Sequence, residues 1–149
     1  MISPLSNEHT KGNKKEVPLP EKQDIIVANY KLAAVEFLKL VVSRKIDEAY
    51  EKHIDIRGKH HNPFFASGFP SLKKGMIDAH MQFPNTTIDI KHVLGDGDLV
   101  AVHSNVVMNP GEKGVAVVHL FRFQGGNIVE MWDIGQPVPA DSPNADGMF

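Results

Sequence analysis

At 149 residues, 42% of them hydrophobic, the chain has the length of one domain able to close a core around a pocket. Its 16 basic and 18 acidic residues leave a net charge of -2, which gives no field for drawing it to nucleic acid or an anionic membrane. Cysteine is absent, which excludes disulfides, thiolate nucleophiles and sulfur-rich metal sites.

Residues 1 to 22 are polar and interrupted by Pro4, Pro18 and Pro20, and read as a flexible arm ahead of a single domain over residues 23 to 149. No secretory leader and no run of about 18 apolar residues occurs, so a soluble, cytoplasmic protein is expected. From Asp24 the spacing of Ile26, Tyr30, Ala33, Phe37, Leu40 and Val41 predicts an amphipathic helix to about residue 44. A short helix over residues 46 to 53 and a brief strand over 57 to 62, ended by Pro63, follow. Ser71 is the expected cap of a third helix with Leu72, Met76, Ala79, His80 and Phe83 on its buried stripe and Pro84 as its stop.

The remainder alternates in the manner of strands. Residues 87 to 94 and 99 to 108 flank Asp96-Gly97, and residues 115 to 123 and 128 to 136 flank Gly125-Gly126, which predicts two hairpins. Helices followed by an antiparallel meander define an α+β class with the helices on one face of the sheet.

Strand alternation sorts the polar residues by face. A turn at Gly125-Gly126 pairs Phe123 with Ile128 and, continued regularly, Phe121 with Glu130 and His119 with Trp132. A turn at Asp96-Gly97 sets Ile90 opposite His103. One face then collects His92, His103, Asn105, His119, Phe121, Glu130, Trp132 and Gln136, and the other takes Ser104, Met131 and Asp133. Helices over the first face would enclose imidazoles, an amide and an indole in an apolar concavity suited to a small ligand.

Several segments carry a family resemblance: "KHHNPF" at 59 to 64, "GDGDLVAVHS" at 95 to 104, "VVHLFRFQGGNIVEMWDIGQPVP" at 117 to 139 and the terminal "NADGMF". Together they resemble the SnoaL-like polyketide cyclase group, in its branch of predicted aldol-condensation enzymes, within the nuclear transport factor 2-like superfamily. The resemblance implies a cone-shaped, cystatin-like α+β fold in which a curved antiparallel sheet wraps about three helices, with an internal pocket and homodimers. The fold itself hosts many chemistries. In the group's cyclases the final strand resembles E-x-W-x-x-x-D, whose aspartate is the proposed acid/base. Gln136 stands at that position here, and Asp133 has the opposite strand parity unless a bulge re-aims it.

His119 and His103 are the candidate catalytic groups, because an imidazole titrates near neutrality and a sheet holds it rigidly. The resemblance adds His61. Trp132, Gln136, Phe121, Asn105 and Glu130 are the candidate substrate-binding residues. Three imidazoles, His61, His103 and His119, could also ligate zinc or iron, but no H-x-H or H-E-x-x-H spacing supports that, and no cofactor is assigned. The expected function is proton transfer next to a carbonyl in a small apolar or aromatic compound, as a cyclase-like lyase or isomerase. A second histidine, Gln136 or the Trp132 N–H would hold the enolate oxygen. A non-catalytic ligand-binding module using the same pocket is the alternative. The tail after Gln136 is expected to cross the pocket mouth or a partner subunit.

Overall fold

The computed structural model describes residues 18–149; most of the expected arm, residues 1 to 17, lies outside them. The first helix, α1 (Lys22–Val42), begins two residues before Asp24, whose side chain accepts the Glu21 backbone N–H at 3.3 Å. It buries Ala34, Phe37, Leu38 and Val41. Arg44, at φ 64, turns the chain into α2 (Ile46–His53), whose bounds match the sequence expectation.

The first strand, β1 (Ile54–His60), leaves α2 without a connecting loop, three residues earlier than expected. Asn62 and Pro63 therefore belong to the following loop. The third helix, α3 (Phe69–Gln82), starts before Ser71: Gly68 at φ 92 is its cap and Pro70 occupies the first turn, where a fixed φ and a missing N–H cost nothing.

Four long strands complete the fold: β2 (Thr87–Asp96), β3 (Leu99–Val107), β4 (Val115–Gln124) and β5 (Asn127–Pro137). They form one curved, unclosed sheet in the order β1-β5-β4-β3-β2, with β1 parallel to β5 and every other pair antiparallel. The helices cover one face, where Phe37 meets Phe121 edge-on at 5.8 Å and Tyr50 meets Phe69 at 6.3 Å. This is the α+β cone expected from the sequence.

Two irregularities correct the expected registers. The first hairpin turns at Gly97-Asp98, one residue later than expected, with Asp96 opposite Leu99. That turn places His92 opposite His103, and a bulge at Lys91 then sets Ile90 opposite Ser104. The second hairpin turns at Gly125-Gly126 as expected and pairs Phe123 with Ile128. Val129 is then an extra residue on β5, so that Arg122 faces Glu130, Leu120 faces Trp132 and His119 faces Asp133. Each residue of β5 beyond the bulge is turned to the opposite side of the sheet from the regular expectation.

The space for this bulge is made on β1. A Cβ at Gly58 would lie 2.3 Å from the Val129 carbonyl oxygen and 2.7 Å from the Phe69 ring. Only glycine lets the strand approach the bulged backbone and α3 together.

Candidate functional site

Under the helices, an apolar cavity of about 260 Å³ is walled by α1, α3 and the sheet. Phe37, Leu72 and Met131 form its buried part, and Phe83 and Met108 stand nearer solvent. Its polar groups include His119, Asp133, Asn62 and His80. Few polar groups converging in an apolar concavity is the usual composition of a small-molecule site.

His119 comes from the middle of β4 and Asp133 from the opposing position of β5. His119 lines the cavity, and its Nδ1 is buried with no hydrogen-bond partner among the described residues. Burial pushes its pKa from 6.5 down to about 4, and the nearby Asp133 charge only partly counters this. The imidazole is therefore neutral at neutral pH: a weak base with one N–H to donate.

Asp133 is oriented from the loop after β1. Asn62 Nδ2 donates to Asp133 Oδ2 at 2.7 Å, and Asn62 Oδ1 accepts the Phe64 backbone N–H at 2.9 Å. The Asn62 backbone N–H donates to Nδ1 of His60 at 3.1 Å, so the His60 proton sits on Nε2 and is donated to the Ala66 carbonyl at 2.8 Å. Buried His60 thus shapes the loop that aims Asn62. Phe65, on the same loop, lies against Gly75 of α3 and closes part of the cavity wall.

Of the sequence candidates, His119 lines the cavity and Phe121 is fully buried beside it. His103, Asn105, Glu130, Trp132 and Gln136 occupy the opposite face of the sheet, as the pairing dictates. There the His61 ring stacks on Trp132 at 4.9 Å, and its Nε2 meets Glu130 Oε2 at 2.7 Å. Glu130 also contacts Lys59 at 3.6 Å and Arg122 at 3.3 Å, and these partners, His61 foremost, hold its pKa below the usual carboxylate value. His103 shares an Nδ1 to Nδ1 contact of 3.0 Å with His92. Asn105 Nδ2 donates to the Lys113 carbonyl at 3.2 Å.

Consequently His61, His103 and His119 do not converge on a metal-ligating set, and among the described residues no cluster of three such side chains occurs. The tail does not cross the cavity mouth. Val138 N–H bonds the Gly114 carbonyl at 3.0 Å, and the Phe149 ring packs on His103 at 5.7 Å, along the outer face rather than over the cavity.

Sequence reasoning missed Asp133 because regular alternation turned it outward, and missed Asn62 because it reads as a turn residue. The one available signal was Gly58, a glycine within a strand, which marks a bulge or a close backbone approach.

Three helices on a curved, unclosed sheet make an α+β cone, a fold shared with solved NTF2-like and cystatin-fold proteins. The SnoaL-like domain family matches residues 36–131, more than half of the chain, and the chain belongs to that family. No curated protein matches it in sequence. Among solved structures it is similar to AclR, a proposed hydroxylase from Streptomyces galilaeus, at 20% identity over 74% of this chain and 90% of that one, with a TM-score of 0.63. A proposed SnoaL-like polyketide cyclase from Jannaschia sp. CCS1 is similar at 14% identity over 78% and 92%, with a TM-score of 0.64. An epoxide hydrolase of LEH-like type from M. tuberculosis is similar at 16% over 74% and 85%, with a TM-score of 0.61. At these identities the likeness is one of fold. No helix among the described residues is long and apolar enough to cross a membrane.

Proposed function

We propose that the protein moves a proton next to the carbonyl of a small apolar or aromatic compound without a cofactor, with Asp133 as the base and His119 as the hydrogen-bond donor. The observation that carries this assignment is the pairing of these two residues across β4 and β5, both lining one apolar cavity.

The chemistry divides between these two side chains. Asn62 occupies Oδ2 of Asp133, which leaves Oδ1 to take the α-proton. The C–H electron pair moves into the carbonyl, and the enolate oxygen accepts the N–H of neutral His119. From a β,γ-unsaturated carbonyl compound Asp133 then returns its proton to the far carbon of the dienolate, completing an isomerisation; otherwise the enolate carbon attacks a second carbonyl and closes an aldol ring, and Asp133 gives its proton to the alkoxide that forms. The apolar walls keep water from competing for the enolate oxygen. Gln136, at the position of the cyclase aspartate, has no part in this scheme.

The test is α-proton exchange of β-tetralone in deuterated water, followed by nuclear magnetic resonance. The wild type should exchange the α-protons, Asp133→Asn should abolish exchange, and His119→Ala should slow it about 100-fold. Exchange that survives in Asp133→Asn would overturn the assignment. Binding of β-tetralone with no exchange would instead mark a ligand-binding module. Exposed Leu94 and Ile134 on the outer face support the expected homodimer through that face, which analytical ultracentrifugation would test.

A further inference from the structure

The ladder between β1 and β5 stops where the site begins. His60 pairs with Met131, and the His61 N–H donates to the Met131 carbonyl at 2.9 Å. A parallel ladder would take its next donor two residues on, at position 63, but Pro63 has no N–H. Asn62, which reaches Asp133, therefore lies just past the end of the sheet and requires an anchor other than the ladder.

The His60 ring is that anchor. Its Nδ1 accepts the Asn62 backbone N–H at 3.1 Å and its Nε2 donates to the Ala66 carbonyl at 2.8 Å. The ring is itself fixed, being 9% exposed and tilted against Phe69, the first residue of α3, at 6.5 Å. With one nitrogen accepting and the other donating, a single neutral tautomer satisfies both contacts. Asn62 is then held at its backbone by His60 and at Oδ1 by the Phe64 N–H at 2.9 Å, which leaves its NH2 aimed at Asp133 Oδ2, 2.7 Å away. A terminal carboxylate torsion is broad unless something holds it. An Asn62 backbone released from His60 would withdraw the NH2 and leave Asp133 free to rotate.

We propose that His60 is a positioning residue for Asp133, acting through the Asn62 backbone, and that its Nδ1 rather than its Nε2 carries the effect. The consequence for catalysis rests on the function proposed above. His60 does not line the cavity, so it acts on the orientation of the base and not on the binding of the ligand. The two nitrogens are separable by substitution. An asparagine amide oxygen reaches the place of Nδ1, and a glutamine amide nitrogen reaches the place of Nε2.

The experiment has two readouts on wild type, His60→Asn, His60→Gln, Asn62→Ala and the double variant His60→Gln/Asn62→Ala. Nuclear magnetic resonance follows hydrogen exchange at the Asn62 backbone N–H and side-chain NH2, and β-tetralone α-proton exchange is measured against its concentration. His60→Gln should speed exchange at both Asn62 groups about 10-fold and lower kcat for β-tetralone about 10-fold at unchanged KM. His60→Asn should keep both readouts near the wild type. In the Asn62→Ala background His60→Gln should cost no further activity, because the two residues act in series. Unchanged Asn62 protection in His60→Gln, equal losses in His60→Asn and His60→Gln, or additive losses in the double variant would overturn the proposal. If His60→Gln does not fold, His60→Asn decides: faster exchange at Asn62 there overturns it. If the wild type leaves β-tetralone unexchanged while Asn62 protection follows the expected pattern, the catalytic assignment fails and the positioning by His60 stands.

Discussion

Asp133 faces His119 across β4 and β5 because Val129 is an extra residue between them and the hairpin turn. Without that residue Trp132 would hold the inward position, and the cavity would be floored by an indole instead of a carboxylate. One inserted residue thus decides the charge and the chemistry of the site.

The bulge depends on Gly58. Gly58→Ala would set a methyl group 2.3 Å from the Val129 carbonyl and 2.7 Å from the Phe69 ring, a backbone atom and a buried aromatic that cannot move aside cheaply. We expect a loss of about 2 kcal/mol in stability, within the range for overpacking, with β-tetralone exchange reduced in the residual folded protein. Urea denaturation and exchange, measured on the same samples, check this; an unchanged midpoint would separate the bulge from Gly58.

Residues on the outer face should be silent in the cavity. Trp132→Leu removes the stack on His61 and the Arg122 contact at 5.8 Å, and should cost about 1 kcal/mol of stability while leaving the exchange rate unchanged. Gln136→Ala should change neither. A drop in exchange for Trp132→Leu comparable with that of Asp133→Asn would contradict the bulged register.

His119 makes the fold sensitive to acid. Its pKa is 6.5 when free and about 4 when folded, so between those values the unfolded chain binds a proton that the folded protein refuses. Stability therefore falls as pH drops through this window, by roughly 3 kcal/mol once both limits are passed, and is unaffected above it. His53 and His80 are lowered in the same direction. Urea midpoints measured stepwise in pH should decline less steeply in His119→Gln than in the wild type, and parallel curves would refute the assignment.

Phe65 closes the cavity against Gly75. A Cβ there would lie 2.3 Å from the Phe65 ring, but that ring belongs to a loop and is 38% exposed, so it can swing outward. Gly75→Ala gains helix propensity of about 1 kcal/mol, which offsets the lost contact. Net stability should change by less than about 1 kcal/mol, while β-tetralone binds more weakly through an opened wall. Thermal melts together with calorimetry separate these two effects.

Much of this molecule was legible from local pattern. The helical spacing from Asp24, the bounds of α2, the Gly125-Gly126 turn and the α+β class all follow from interactions within a few residues, which propensity and alternation record. His119 at a cavity was legible too, because β4 runs regularly and carries its apolar partners in phase. The SnoaL-like resemblance added the cone.

What alternation could not record was the extra residue. A bulge is stable or not according to what packs on it, and the strand that accommodates Val129 is β1, whose Gly58 lies 71 positions earlier in the chain. Asn62, which orients Asp133 from the same distance in sequence, joins the site only once β1 lies parallel to β5. Chain pattern determined the fold class, the hairpin and the cavity histidine. The tertiary structure alone decided which carboxylate meets that histidine, because strand parity past a bulge depends on close packing between segments remote in sequence.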